Sequence, residues 1–256
     1  MKKILVLPIL IALILISKSA FTQDSERSLF HFGLKAAPAV SWFTPGDKKL
    51  SNDGSKFGFG YGLTTEFGIT KNYAISTGLE VVNAGGKLVF PSTTDSTYYS
   101  VLDENSIIEK YDTFLLKERT YRLRYVNIPL LLKLKTNPIG SMTYFGQFGV
   151  DASIKWKAMA DDDGNFLGQQ TTTRNDVDIS NDIGFLRLAL NVGLGAEYNL
   201  SGSTSLVFSV NYNNGFTNAL QKKSENIRLY KVGRKSNEFE QKAVFNYVSV
   251  TVGILF

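Results

Sequence analysis

FGFGYGLTTEFGI, residues 57–69, is the stretch of this 256-residue chain that decides its fold. Aromatic and aliphatic side chains occupy its odd positions apart from Thr65, whereas glycine, Thr64 and Glu66 occupy the even ones. This period of two is typical of a β-strand. In a soluble sandwich the apolar face would turn inward and leave water a face of glycines, which weaken a strand. A membrane barrel, with lipid outside and glycines in a narrow lumen, accounts for both faces.

The same division into an apolar face and a small or polar face recurs in seven further segments. They lie at 30–43, from 73 to about 81, and at 121–136, 142–157, 186–198, 205–213 and 243–256. Together with 57–69 they predict eight β-strands.

The segment 121–136 changes its parity along the way. Its apolar residues fall on odd positions up to Tyr125 and on even positions from Leu130 onward. Pro129 lies between the two halves and cannot donate a hydrogen bond to a ladder, so we predict a bulge there that reverses the parity. A buried strand of a soluble protein is the alternative interpretation of 128–134.

The joins between these segments alternate strictly between short and long. Short joins lie at 70–72, 137–141 and 201–203, and long joins at 44–56, 89–120, 158–183 and 218–242. This alternation predicts an all-β, eight-stranded antiparallel up-and-down transmembrane β-barrel with periplasmic turns, periplasmic termini and long external loops. A soluble periplasmic lipocalin-like barrel that binds a ligand is the alternative, but it would carry its polar residues outside.

Residues 1–23 have the pattern of a secretory signal peptide. Lys2 and Lys3 precede an apolar run over 4–16, which is too short to cross a bilayer as a helix. A retained membrane anchor is the alternative. We therefore expect one outer-membrane β-barrel domain over 24–256, exported by this signal. Without Lys2, Lys3 and Lys18 the chain has 25 basic and 23 acidic residues, and no basic stripe indicates nucleic acid as a partner.

The last segment has the pattern of an insertion signal for the machinery that assembles outer-membrane barrels. Its apolar face carries Val248, Val250, Val252, Ile254 and Phe256. The alternative is an ordinary edge strand, which would expose an apolar edge prone to aggregation.

Several of these motifs match a known family. With YVNIPLLLK at 125–133, GLGAEY at 193–198, the strand at 57–69 and Phe256, the chain resembles the PorT-like outer-membrane β-barrel family of Gram-negative envelopes. The resemblance implies a barrel over the whole mature chain. Some members are similar to a factor needed for protein secretion across the outer membrane, but no residue here singles out that role.

Charged residues also fall on the predicted inward faces. They are Lys35, Glu66, Glu80, Lys133, Asp151, Lys155, Arg187 and Glu197. An eight-stranded barrel has room inside only for side chains, and an isolated buried charge is costly. We therefore predict a sealed, salt-bridged interior without a diffusion pore, in which the network serves only to stabilise the barrel or also has a function.

The sequence offers few candidates for catalysis or metal binding. The only histidine, His31, and Ser28 are close in sequence, so a barrel enzyme acting on lipid is one hypothesis, although an interfacial imidazole is the preferred interpretation. Residues 161–165 resemble a calcium loop, but the glycine is misplaced and no glutamate follows at loop position twelve. We interpret them as a solvated turn with at most a weak cation site. No cofactor or metal is predicted, and the absence of cysteine excludes disulfides and thiolate ligands.

The long joins differ in charge. The join 89–120 has six acidic and three basic residues, and 158–183 has six acidic residues and one basic residue. The join 218–242 has seven basic and three acidic residues. Opposite charges on neighbouring loops predict either a mutually attracting crown or a docking surface for lipopolysaccharide or a protein. Mobile, solvated loops are the alternative. The leading hypothesis is thus a non-enzymatic outer-membrane barrel with a structural or docking role.

Overall fold

A computed structural model describes residues 30–46, 50–92, 96–100, 114–166, 171–231 and 237–256. The predicted signal peptide lies outside these residues. The described chain forms twelve β-strands: β1 (Phe30–Pro45), β2 (Ser51–Gly68), β3 (Tyr73–Val89), β4 (Ser96–Ser100), β5 (Phe114–Lys135), β6 (Met142–Phe166), β7 (Thr171–Asp178), β8 (Leu186–Ser201), β9 (Thr204–Gly215), β10 (Lys223–Lys231), β11 (Asn237–Glu240) and β12 (Ala243–Leu255). Within the described ranges, no helix has the length and apolarity needed to cross a membrane.

Eight of these strands close into a ring. Their order is β1, β2, β3, β5, β6, β8, β9 and β12, each antiparallel to the next, and β12 pairs back onto β1. The eight-stranded antiparallel up-and-down barrel predicted from the sequence is therefore confirmed. The three short turns, between β2 and β3, β5 and β6, and β8 and β9, are also confirmed.

An apolar belt surrounds the half of the barrel that carries these turns. Outward side chains such as Phe57, Leu63, Leu130, Leu194 and Val250 are exposed, as lipid-facing residues must be. On the inner face, glycines let β2 and β3 approach each other closely. A Cβ at Gly62 would lie 2.2 Å from the carbonyl oxygen of Leu79, so any larger residue there would push the two strands apart.

The predicted bulge at Pro129 is wrong. Pro129 pairs in regular register with Asp151, and odd positions of β5 face inward from Tyr121 to Lys133. The irregularity lies instead on β6, where Arg124 pairs with Lys157 but Tyr125 pairs with Lys155. The extra residue on β6 reverses its parity, as a β-bulge does.

The interior changes character at the level of this bulge. Above it, apolar inward side chains form one buried cluster, in which the Phe43 ring lies 4.9 Å from that of Tyr121 and 5.3 Å from that of Phe245. Tyr121, Leu123 and Tyr125 thus face this cluster and not lipid. The parity of β5 does not change along the strand. The apolar residues move from the outer to the inner face because the environment outside the barrel changes from lipid to water.

The long joins are β-structure in large part, which corrects the prediction of long external loops. The join 89–120 contains β4 and the start of β5, 158–183 contains the end of β6, β7 and a 3-10 turn at Ser180–Asp182, and 218–242 contains β10 and β11. The strands β10 and β4 continue the sheet from β5, and β7 continues it from β6. We call the part beyond the belt the cap: β4, β7, β10, β11, the 3-10 turn, 82–89, 114–124 and 156–166. It has the apolar interior of a soluble domain.

Candidate functional site

Four charged side chains form a closed cluster near the turn end of the barrel, which we call the interior quartet. It consists of Glu66, Lys133, Lys135 and Glu197. Lys133 Nζ lies 2.8 Å from Glu66 Oε2 and also donates to Glu197, while Lys135 Nζ lies 3.0 Å from Glu197 Oε2 and pairs with Glu66. Both lysines come from β5. The quartet has no net charge, which is how a barrel can bury four ionised groups.

A second pair lies further up the interior. Lys35 of β1 forms a salt bridge with Glu80 of β3. Both residues line a cavity of about 60 Å³ between the quartet and the apolar cluster, which is room for at most a few water molecules. The cavity reaches Tyr247, where the buried apolar cluster begins.

Asp151 and Arg187 do not pair directly. The carboxamide of Asn213 lies between them: its oxygen accepts from Arg187 Nη2 and its nitrogen donates to Asp151 Oδ2. Asn191 Nδ2 donates to the same carboxylate over 2.9 Å. Arg187 Nη2 also donates to the carbonyl oxygen of Phe245 at 2.7 Å. A polar layer of uncharged amides therefore separates the last two interior charges.

Lys155, the eighth residue of the predicted interior set, lies elsewhere. Its Nζ donates to the carbonyl oxygens of Ser180 and Ile183, the latter over 2.9 Å. It lies at the β6 bulge and holds the 3-10 turn of the cap. Conversely, Lys135 is not among the predicted interior residues. Its odd position on β5, the same parity as that of Lys133, is nevertheless enough to predict an inward side chain.

The cap has a buried ion cluster of its own. Arg119 is fully buried and donates two hydrogen bonds to Asp162, from Nε to Oδ1 at 2.6 Å and from Nη2 to Oδ2 at 2.8 Å. Arg119 Nη1 also lies 3.4 Å from Asp182, which accepts from the Ser224 hydroxyl at 2.8 Å. The cluster joins β5, β6, the 3-10 turn and β10. Sequence reasoning placed these residues in loops and missed it.

The interpretation of 161–165 as a solvated turn is wrong. Residues 161–165 lie on β6 and pair with β5 and β7. Asp161 accepts from Arg122 over 2.7 Å, Asp162 binds Arg119, and Asp163 accepts from Thr173, so the carboxylates already have partners. In the described part of the chain, no three acidic, histidine or cysteine residues are placed to hold a metal ion.

His31 lies half-buried on the inner face of β1, opposite Glu66 of β2. Ser28, its suggested nucleophile partner, lies outside the described residues. Of the predicted insertion signal, Val248, Val250, Val252 and Phe256 are exposed on the outer face, whereas Ile254 is half-buried. Phe256 also exchanges backbone hydrogen bonds with Phe32, of which the shorter is 2.8 Å. Its role as a signal stays a prediction.

The closed ring, the lipid-facing belt and the polar interior define an integral outer-membrane β-barrel. The model of the family described as outer membrane protein beta-barrel domain matches residues 21–221, and the chain belongs to this family. Its place is therefore the outer membrane, and the alternative of a soluble periplasmic barrel is wrong. In such barrels the short turns face the periplasm, so the cap faces the outside of the cell.

Solved structures of several outer-membrane proteins are similar to this chain. Neisserial surface protein A is 10% identical over 90% of this chain and 98% of its own, with a TM-score of 0.43. OprG from Pseudomonas aeruginosa is 12% identical over 90% and 97%, with a TM-score of 0.46. The outer membrane protease OmpT from Escherichia coli is 10% identical over 92% and 98%, with a TM-score of 0.39. No curated protein matches the sequence.

Proposed function

We propose that the chain is a non-enzymatic outer-membrane protein whose barrel anchors a folded docking surface, the cap, outside the cell. The observation that carries this is the continuation of β5 and β6 beyond the belt into a sheet with its own buried apolar cluster. A flexible loop would have to be ordered when a partner binds, at a cost in entropy. A prefolded cap presents its surface without that cost.

The barrel interior supports a docking role over transport. The interior quartet, the amide layer around Asn213 and the rings of Phe43 and Phe245 follow one another along the axis. We expect no ion conductance when the purified protein is reconstituted in planar bilayers, because the quartet on one side of the small cavity and the aromatic rings on the other close the path. Steady single-channel currents would contradict the sealed barrel.

The edge strand β7 is the most suitable part of the cap for contact with a protein. It pairs with β6 and ends the described sheet, and the side chains of Thr171, Thr172 and Thr173 are exposed on it. Edge strands accept an additional strand from a partner. A photo-crosslinking amino acid at Thr172 should yield a discrete product on intact cells. The same amino acid at Lys71, in a periplasmic turn, is the control, and equal products from both positions would contradict docking at β7.

A link to protein secretion is the finer part of this proposal. It is supported by the resemblance of 125–133 and 193–198 to the PorT-like family. A strain that lacks the protein should retain secreted proteins in the periplasm and release them again when the gene is restored. Normal secretion in that strain would remove the link to secretion, while the crosslinking experiment would still test docking.

The lipid-enzyme alternative is tested through His31. We expect purified protein to show no hydrolysis or acyl transfer on phospholipid vesicles, and His31→Ala to behave in the same way. Turnover by the wild type that His31→Ala abolishes would overturn the non-enzymatic assignment.

A further inference from the structure

The bulge on β6 places two consecutive side chains on the outer face of the barrel. Trp156 and Lys157 are both exposed there, although alternation would turn one of them inward. Lys157 lies opposite Arg124 of β5, and the Arg124 guanidinium carbon lies 5.6 Å from the centre of the Trp156 ring. Bulges often serve to redirect a side chain in this way.

The Arg124 guanidinium is held in one orientation. Its Nε donates to Asn83 Oδ1 at 2.6 Å, and Asn83 Nδ2 in turn donates to the carbonyl oxygen of Phe59. The ring of Trp156, on the neighbouring strand β6, makes a cation–π contact with the same guanidinium. Among the described residues, the two terminal nitrogens of Arg124 have no hydrogen-bond partner. A fixed guanidinium fork with free nitrogens is well suited to bind phosphate oxygens.

The positive charge at this point is not neutralised by the protein. The next outward arginine, Arg122, is paired at 2.7 Å with both Asp161 and Asp176. In contrast, neither Arg124 nor Lys157 forms an ion pair with any described carboxylate. Asp178 accepts from the Ser180 amide over 2.8 Å, stays ionised and lies within electrostatic range of Lys157, so it offsets part of the charge of Lys157. Arg124 therefore leaves its full positive charge, and Lys157 part of its charge, available to a ligand.

The surface below these charges is apolar. Val126 and Ile128 follow Arg124 on the outer face of β5, and Ile154 precedes the bulge on β6. Arg124 is thus the first charged residue above the lipid-facing belt on its strand. Tryptophan is also enriched at this depth, where headgroups meet acyl chains. A ligand of this surface has an anionic group joined directly to hydrocarbon.

We propose that Arg124, Lys157 and Trp156 bind the phosphate of a phosphorylated glycolipid of the outer leaflet, lipopolysaccharide, with its acyl chains along the outer faces of β5 and β6. The site lies on β5 and β6, at the opposite end of β7 from Thr171, Thr172 and Thr173, so it does not depend on the proposed docking role. Both nitrogens of the Arg124 fork donate to phosphate oxygens, and Lys157 adds a second charge from the next strand.

The experiment uses the full-length barrel in phosphatidylcholine nanodiscs that contain diphosphoryl lipid A. Native mass spectrometry counts retained lipid A, and in a Trp42→Phe background the fluorescence of Trp156 reports binding at the site. We expect Arg124→Gln and Lys157→Gln each to weaken binding about fivefold, since one cation near a membrane surface contributes about that much. The control Lys71→Gln/Lys242→Gln removes the same charge from exposed positions elsewhere and should bind as the wild type does.

Two results would overturn the proposal. One is equal binding of lipid A from which the phosphates have been removed, which would show that only acyl chains are recognised. The other is an Arg124→Gln/Lys157→Gln variant that binds diphosphoryl lipid A as tightly as the control does. Heat-modifiable gel mobility of every variant shows that the barrel is folded, and both substituted side chains are exposed, so folding should not be affected.

Discussion

Glu66 of β2 and Lys133 of β5 meet inside the barrel, 2.8 Å apart, although β3 separates their strands. Lys135 and Glu197 complete the interior quartet. Lys133→Met would leave two buried carboxylates with Lys135 alone, and an uncompensated buried charge is strongly destabilising. We expect the free energy of unfolding to fall by about 3 kcal/mol or more, measured by urea unfolding in lipid vesicles.

The double variant Glu66→Gln/Lys133→Met removes one charge of each sign and should recover much of this loss. Lys71→Met, in an exposed turn, is the matched control and should change the stability by less than about 0.5 kcal/mol. If Lys133→Met were as stable as Lys71→Met, the quartet would have to be hydrated and not buried.

Phe43 marks the boundary between barrel and cap, because its ring contacts those of Tyr121 and Phe245. Phe43→Ala leaves a cavity that these rings cannot fill, so we expect a loss of about 3–5 kcal/mol. Phe57→Ala is the comparison, since Phe57 is 72% exposed on the outer face and lipid can fill the space. Its cost should be less than half as large in the same urea experiment, and equal costs would argue against a packed apolar cluster.

Val192 lies midway along the apolar belt on β8, between Leu186 and Tyr198. An arginine on the lipid-facing side of a barrel costs about 2–4 kcal/mol near the middle of the bilayer. Val192→Arg should therefore reduce both stability in vesicles and the amount of protein assembled in the outer membrane. Ser51→Arg, on the exposed part of β2 above the belt, should assemble normally. Normal assembly of Val192→Arg would place the belt elsewhere.

The sequence was sufficient to predict the membrane half of the fold, because lipid requires an apolar residue at every second position on the outer face. The alternation of 57–69 therefore has one meaning only. Above the belt the same alternation has the opposite meaning, since water is outside and the apolar residues turn inward. Tyr121 and Leu123 follow this second rule, and the outward Arg122 and Arg124 mark where the environment changes. The alternation of apolar residues by itself does not distinguish this change of environment from a bulge, which is why it predicts one at Pro129.

The candidate site, too, could be predicted only in part. Lys133 and Glu66 could be placed inside from their parity alone, and Lys135 could have been found in the same way. Parity does not say which inward residues meet, so the amide bridge through Asn213 could not be predicted. Arg119 and Asp162 pair because β5 and β6 both continue far beyond the belt. The sequence pattern does not predict how far these strands continue, so it could not predict this pair.

The buried Tyr121 predicts a loss of stability at alkaline pH. Burial raises the pKa of the Tyr121 phenol above its ordinary value, and the nearby charge of Arg119 offsets this only in part. The unfolded chain ionises this phenol near pH 10 while the folded protein keeps it neutral, so stability is complete below about pH 10 and is lost above it. Above about pH 10, Tyr121→Phe should reduce the slope of the free energy of unfolding against pH by up to about 1.4 kcal/mol per pH unit. Identical slopes in urea unfolding between about pH 10 and 11 would show that Tyr121 does not contribute.

The buried pair of Arg119 and Asp162 holds the cap together, with bonds of 2.6 and 2.8 Å between β5 and β6. Arg119→Met leaves Asp162 without its main partner inside an apolar domain, and breaking a buried pair from one side costs about 3–5 kcal/mol. Because the pair lies outside the membrane belt, this loss should unfold the cap and leave the barrel intact. Backbone amides of 114–124 and 156–166 should exchange with deuterium much faster, while the gel mobility of the unboiled protein stays that of a folded barrel. Asp163→Asn, half-buried beside Asp162 and bonded to Thr173, is the control and should leave the exchange of the cap unchanged. Loss of the folded-barrel mobility in Arg119→Met would mean that cap and barrel unfold as one unit.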